Sequence, residues 1–282
     1  MKFKNQTAEL FIPDQTDDNH AIKRTTHMAI GAHQDDIEIM AYHGIAECFQ
    51  SKEKYFFACI VTNGSGSARD NLYKDYTDKE MIDIRKTEQK KAAYMGEFGG
   101  LALLDYPSKQ VKDKHNEAVV KELRDLLLQA QPKILYTHNL ADKHDTHIGI
   151  VTKVIKAIRT LPKDKRPKQV LGCEVWRNLD WVNDDEKIYL DVSAHPNMAA
   201  SLVEVFDSQI IGGKRYDLAT IGRRLANATF NASHAVDETN ALTYAMDLTP
   251  LILDDKKDIT QFVTDYIKRF EKDVSARINK VL

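Results

Sequence analysis

Met28-Ala-Ile-Gly-Ala32 is an uncharged run that breaks at once into His33-Gln34-Asp35-Asp36. A short apolar segment bounded by polar residues reads as a strand buried on both faces. Five further runs repeat it: residues 55–61, closed by the turn signal Asn63-Gly64, then 101–104, 134–137, 170–176 and 188–192. Helix-period stripes lie between them. Met81, Ile84, Glu88, Ala92 and Met95 recur at three- and four-residue steps, with Gly96 placed to cap the end. Val119, Val120, Leu123, Leu126 and Leu127 form a second stripe that stops before Pro132, and Ile148, Val151, Val154, Ile155 and Ile158 a third. A long amphipathic helix closes the chain from about Ile259 to Ile278.

Strands apolar on both faces need helices above and below, which predicts a Rossmann-like three-layer α/β/α fold with a mostly parallel sheet. The reading is one domain over residues 1–282. It has an N-terminal extension at 1–25 and a C-terminal helical part at 211–282 that completes the substrate pocket. No repeat, low-complexity tract or linker divides the chain.

Composition narrows the function. Hydrophobic residues are 43% and charged residues 29%, a balance suited to a packed soluble domain rather than a disordered one. Lys and Arg total 40 and Asp and Glu 42, so the net charge of −2 offers no electrostatic footprint for nucleic acid. No run approaches the roughly 18–20 apolar residues that span a bilayer, and the first residues lack the apolar core of a signal peptide. Cys48, Cys59 and Cys173 are far apart and form no CxxC pair, which excludes a disulfide scaffold or a four-cysteine zinc site. A cytoplasmic location is the expectation.

In parallel sheets functional groups collect beyond the carboxyl ends of strands. The Gly-rich dinucleotide fingerprint is missing from the first strand-to-helix turn, which instead carries His33-Gln34-Asp35-Asp36. A second polar cluster follows the fourth run: Thr137-His138-Asn139, then Asp142-Lys143-His144-Asp145-Thr146-His147. His33 and Asp36, three residues apart, can face one point as the turn enters a helix, and His147 can approach from a neighbouring strand end. Two imidazoles and one carboxylate make a three-ligand zinc site with an open position. The plainer alternative is that the carboxylates cap a helix and the histidines are solvated loop residues. Two clusters at two strand ends favour the site.

These segments resemble the zinc-dependent de-N-acetylases of the LmbE/PIG-L family, whose pattern is A-H-P-D-D followed about a hundred residues later by H-P-D-H. Here the counterparts are Ala32-His33-Gln34-Asp35-Asp36 and His144-Asp145-Thr146-His147. Thr62-Asn63-Gly64, Arg85 with Glu88, Asp105, Asp142, Asp191 with Ser193, and Ser208-Gln209 agree in order, so the likeness covers roughly residues 28–210. It implies one Zn²⁺ per chain held by His33, Asp36 and His147, with Asp35 as general base and a protonated His144 as electrostatic stabiliser. Arg69, Arg85 and Asp142 are candidate substrate-binding residues, although Arg85 and Glu88 also read as a structural ion pair. Asp142 and Asp145 are alternatives for orienting His144.

The sequence departs from the pattern at Gln34 (usually Pro), Ile37, Met40, Tyr42-His43, Ser65 and Thr146 (usually Asp), which implies an altered pocket floor. The expected reaction is removal of acetyl from an N-acetylglucosamine-type sugar or glycoconjugate, a small-molecule substrate, by a chain that can form a homo-oligomer. Two alternatives remain open: a catalytically silent sugar-binding relative, and a two-metal phosphoesterase. Trp176 reads as core packing, and Lys214-Arg215 with Arg223-Arg224 as surface charge.

Overall fold

All six apolar runs form strands in a computed structural model that describes residues 1–282. In chain order the strands are β1 (Glu9–Phe11), β2 (His27–Gly31), β3 (Phe56–Thr62), β4 (Gly100–Tyr106), β5 (Ile134–His138), β6 (Gln169–Cys173), β7 (Ile188–Asp191) and β8 (Leu242–Asp247). They make one sheet in the order β1-β4-β3-β2-β5-β6-β8-β7. The five central strands are parallel, while β1, β8 and β7 add antiparallel edges.

The helices are α1 (Asp18–Lys23), α2 (Asp36–Met40), α3 (Tyr42–Cys48), α4 (Asp78–Met95), α5 (Ser108–Lys112), α6 (Glu117–Ala130), α7 (Asp145–Arg159), α8 (Pro196–Glu204), α9 (Asp207–Ile210), α10 (Tyr216–Phe230), α11 (Thr249–Leu253) and α12 (Ile259–Val281). Their ends follow local chemistry. Thr77 and Glu80 form a reciprocal capping box at the start of α4. Gln131, at φ 45°, turns the chain out of α6 before Pro132.

Period-two alternation sends neighbouring strand residues into different layers. Met28, Ile30, Phe57, Cys59, Ala102 and Leu104 pack with α6, α7 and α11 in one core cluster. Ala29, Ala58, Ile60, Leu101 and Leu103 pack with α2, α3, α4 and α8 in the other. This is the predicted three-layer arrangement.

Residues 1–25, read as an extension, supply the edge strand β1 and the helix α1, and the Lys4 and Asn5 amides donate to the buried Glu122 carboxylate of α6. Residues 211–282 are not purely helical, because β8 enters the sheet between β6 and β7. The chain runs outward from β2 through β3 to β4, then returns to β5 on the opposite side of β2. Above β2 and β5 the connections diverge, and this topological switch point is where such sheets form a crevice.

Candidate metal centre and active site

The β2–α2 turn and the β5–α7 connection meet above that crevice. Thr62, the last residue of β3, holds the first in place: its amide and its hydroxyl both donate to the Ala32 carbonyl, at 2.9 and 2.8 Å. Asp36 opens α2, and the His33 amide donates to its Oδ2 at 2.6 Å. On the other side Asn139 Oδ1 accepts from the Ala141 amide and Asp142 Oδ1 from the His144 amide. These two side-chain turns swing the chain into α7, where His147 lies in the first turn, fully buried.

Three donor groups converge. His33 Nδ1 lies 3.3 Å from Asp36 Oδ2, His147 Nε2 lies 3.3 Å from Asp36 Oδ1, and His33 Nδ1 lies 3.3 Å from His147 Nε2. Ligands about 2.0–2.1 Å from a tetrahedral zinc are separated by roughly 3.3–3.4 Å. The spacing is therefore that of a coordination shell. The charges agree: Asp36 is held well below the usual carboxylate range by the His147 and His138 imidazoles against the cost of its burial. Against its own burial, Asp36 and Asp142 pull His147 up to about 9. The site favours positive charge at its centre, as a cation site must.

Donor atoms of Asp36, His138 and His147, and likewise of His33, His144 and His147, lie within 4.8 Å of one another, so two more histidines crowd the same point. His138 ends β5, fully buried and stacked on His147 with ring centres 3.9 Å apart. Its Nε2 accepts the Ala32 amide at 2.9 Å, which occupies the lone pair nearest the site. Burial holds the ring neutral. In the sequence His138 belongs to the second polar cluster, where nothing marks a role for it.

His144 caps α7 by accepting the Thr146 amide at Nδ1, 3.2 Å away. Burial, reinforced by His147 and His33, pulls its pKa down to about 4. The neutral tautomer that fits carries its proton on Nε2. This differs from the expected protonated His144, and the neutral form offers an N–H donor from the same ring. Neither Asp142 nor Asp145 hydrogen-bonds its ring, whereas the Thr146 amide does.

Asp142 turns away from the pocket. Its Oδ2 accepts from the Trp176 amide at 3.2 Å and faces His147 Nδ1 at 3.4 Å. A carboxylate behind a metal-facing histidine fixes the ring's orientation and tautomer.

Asp35 is left out of the donor set. It has φ 91°, a sparsely populated backbone state for a residue with a side chain, held in place by its surroundings. Arg85, 1% exposed, donates to the Gln34 carbonyl, lies 3.0 Å from Asp35 Oδ2 and reaches Glu88 Oε2 at 3.4 Å. Glu88 in turn accepts the Ser208 amide and hydroxyl at 2.6 and 2.7 Å. Burial raises Asp35 to about 6, with Arg85 opposing it. Gly64 makes this packing possible: at φ +74° a Cβ there would stand 2.6 Å from Gln34 Oε1.

A cavity of about 390 Å³ opens onto these groups. His33, Asp35, Asp36, Arg85 and His144 line it together with Trp176, Gln209, Lys214 and Tyr216. Trp176, read as core, lines this cavity with Lys214 Nζ 5.1 Å from its ring centre. Of the other arginines read as surface, Arg224 is buried and donates to the Glu38 and Ile39 carbonyls. Arg69 is engaged elsewhere, its guanidinium held by the Ser65 carbonyl and by Asp78 at 2.6 Å.

A mostly parallel sheet whose switch point carries an aspartate–histidine donor set, with Asp35 beside it and outside that set, is consistent with a metal-assisted amide-hydrolase mechanism. The chain matches the PIG-L family of GlcNAc-PI de-N-acetylases over residues 28–158, the segment that holds every one of these donors. No curated protein matches it by sequence. Among solved structures it is similar to a conserved protein from Thermus thermophilus (13% identity, TM-score 0.61, covering 83% of this chain and 99% of that one). It is also similar to the N,N'-diacetylchitobiose deacetylase from Pyrococcus horikoshii (14%, 0.62, 84% and 88%). A third likeness is to a 4-carboxy-2-hydroxymuconate hydratase from Pseudomonas putida (16%, 0.61, 79% and 96%). At these identities the structural likenesses concern the fold.

Proposed function

We propose that the chain removes the N-acetyl group from an N-acetylglucosamine-type sugar or glycoconjugate. One Zn²⁺ is held by His33, Asp36 and His147, Asp35 is the general base, and His144 is a hydrogen-bond donor. The observation that carries this is the 3.3 Å spacing of three donors beside an aspartate that belongs to none of the three pairs.

When bound, zinc supplies Lewis acidity, polarising an amide carbonyl and lowering the pKa of water towards 7. Asp35 Oδ1 takes no hydrogen bond from the protein, while Oδ2 is tied to Arg85. Oδ1 is thus free to accept a proton from the attacking water and to return it to the departing amine, which leaves badly without one. His144 Nε2–H, aimed into the same cavity, donates to the oxyanion that forms at the carbonyl. Trp176 offers a flat apolar face on which a sugar ring stacks, and Gln209, Lys214 and Tyr216 offer polar contacts to its hydroxyls. Lys214 and Tyr216 belong to residues 211–282, which supports the reading of that part as one side of the substrate pocket.

The test is acetate release from a panel of N-acetylated sugars by the zinc-loaded protein. Release from at least one amino sugar is expected. Binding of those sugars without any release would instead favour the silent binding relative.

A further inference from the structure

A second cavity, of about 730 Å³, opens beside the catalytic pocket, and Lys112 belongs to the walls of both. Its cations are Lys112, Lys114, Lys153, Lys156 and Arg159, and Asp145 is the one carboxylate on its wall. In a chain whose net charge is −2, five cations against one carboxylate mark a segregated basic groove. The nearby carboxylate of Glu117 is taken by Lys156. Lys153 is 5% exposed, yet its ammonium meets only the carbonyls of Asp113 and Asn116, at 2.8 and 3.0 Å. Arg159 likewise spends its guanidinium on the carbonyls of Leu251 and Lys257, at 2.8 and 2.6 Å.

Burying an ammonium that touches no carboxylate is costly, and Glu117 and Asp113 offset that cost only through longer-range attraction. Lys112 and Lys114 enter no ion pair, and they supply the groove's unspent positive charge. On α7 the cations recur at residues 153, 156 and 159, along one side of the helix and over about 9 Å of its axis. The rest of the wall is largely apolar. A chain with anionic groups along one edge and aliphatic stretches between them fits such a surface.

We infer that this groove binds the anionic part of an extended substrate. The N-acetylated sugar occupies the catalytic pocket, and an attached chain carrying two or more carboxylate or phosphate groups leaves past Lys112 and runs along α7. This rests on the amide-hydrolase reading and adds to it the chemical class of the aglycone.

The experiment compares three N-acetylglucosaminides of equal length: one with a neutral ethylene-glycol tail, one with a triglutamate tail and one with a triphosphoserine tail. In the full-length zinc-loaded chain at low salt, kcat/KM for an anionic tail exceeds that for the neutral tail by at least tenfold, mainly through KM. The better of the two anionic tails identifies the group as carboxylate or phosphate. In a Lys114→Glu/Lys156→Glu variant the anionic-to-neutral ratio falls towards one, and because it is a ratio, a general loss of activity cancels. A wild-type ratio within twofold of one for both anionic tails overturns the inference while leaving the hydrolase reading intact. Should no substrate be turned over, the hydrolase reading is what fails. Calorimetry with the two anionic compounds then decides the groove: binding lost in the double variant supports it, and no binding at millimolar concentration overturns it.

Discussion

Arg85 Nη2 stands 3.0 Å from Asp35 Oδ2, with both side chains buried and both facing the space above β2. The guanidinium also grips the carbonyl of Gln34 and the carboxylate of Glu88. A residue at φ 91° that must keep one oxygen free needs such an anchor. Arg85 also lines the cavity, and in the proposed mechanism it would hold the base in position.

Replacing Asp35 with Asn keeps the side chain's shape and a residue type that accepts positive φ comparatively well. Metal content should stay at the wild-type level while acetate release falls by about 10²–10⁴-fold, the usual worth of a positioned base. Metal analysis and turnover on one preparation check both halves. Wild-type turnover in Asp35→Asn refutes the base assignment.

Arg85→Leu removes the shared partner of two buried carboxylates. Stranding buried charge costs on the order of 3–5 kcal/mol, so urea denaturation should show a loss of that order. Arg85→Lys should recover only part of it, because an ammonium cannot fork between Gln34, Asp35 and Glu88. A loss below about 1 kcal/mol in Arg85→Leu means that the anchor lies elsewhere.

Asp142→Asn acts behind the metal site. Loss of the carboxylate facing His147 Nδ1 should weaken zinc binding by about 10–100-fold, read by competition with a chelator. The same affinity in the variant removes Asp142 from its orienting role.

His27 lies far from the pocket and tests the fold. Its Nδ1 meets the Thr26 hydroxyl at 2.9 Å and Cys48 Sγ at 3.3 Å. Burial, with Lys54 adding to it, lowers its pKa from 6.5 to about 4. The folded protein holds this imidazole neutral, whereas the unfolded chain takes up a proton near 6.5. The stability is full above 6.5 and is lost as pH falls towards 4, by on the order of 3 kcal/mol. In zinc-free protein, His27→Gln should flatten the slope of unfolding free energy across that window. An unchanged slope assigns the acid sensitivity to other histidines.

The convergence of the aspartate–histidine cluster was legible because its two motifs flank strand ends, and parallel topology brings those ends together wherever β2 and β5 adjoin. The boundaries of β2 to β7 followed from runs of apolar residues long enough to fill a strand. β1 has three residues and no pattern of its own, since pairing with β4 makes it a strand. His138 was unreadable for a different reason. A histidine closing a strand looks the same in sequence whichever way it faces, and only its register beside β2 brings Nε2 to the Ala32 amide. The roles of Asp142 and His144 depend on two side-chain turns within six residues, a scale at which spacing carries no direction. Trp176 and Lys214 reach the pocket because residues far along the chain return over it, and Arg224 shows the reverse, a basic side chain drawn inward onto two backbone carbonyls.

In the proposed site His33, Asp36 and His147 enclose one divalent ion. Metal analysis of the chain after exposure to zinc and exhaustive dialysis, with Asp36→Ala alongside, reads this out. The prediction is one zinc per wild-type chain and almost none in the variant. Two equivalents in the wild type, or full retention in Asp36→Ala, contradicts it.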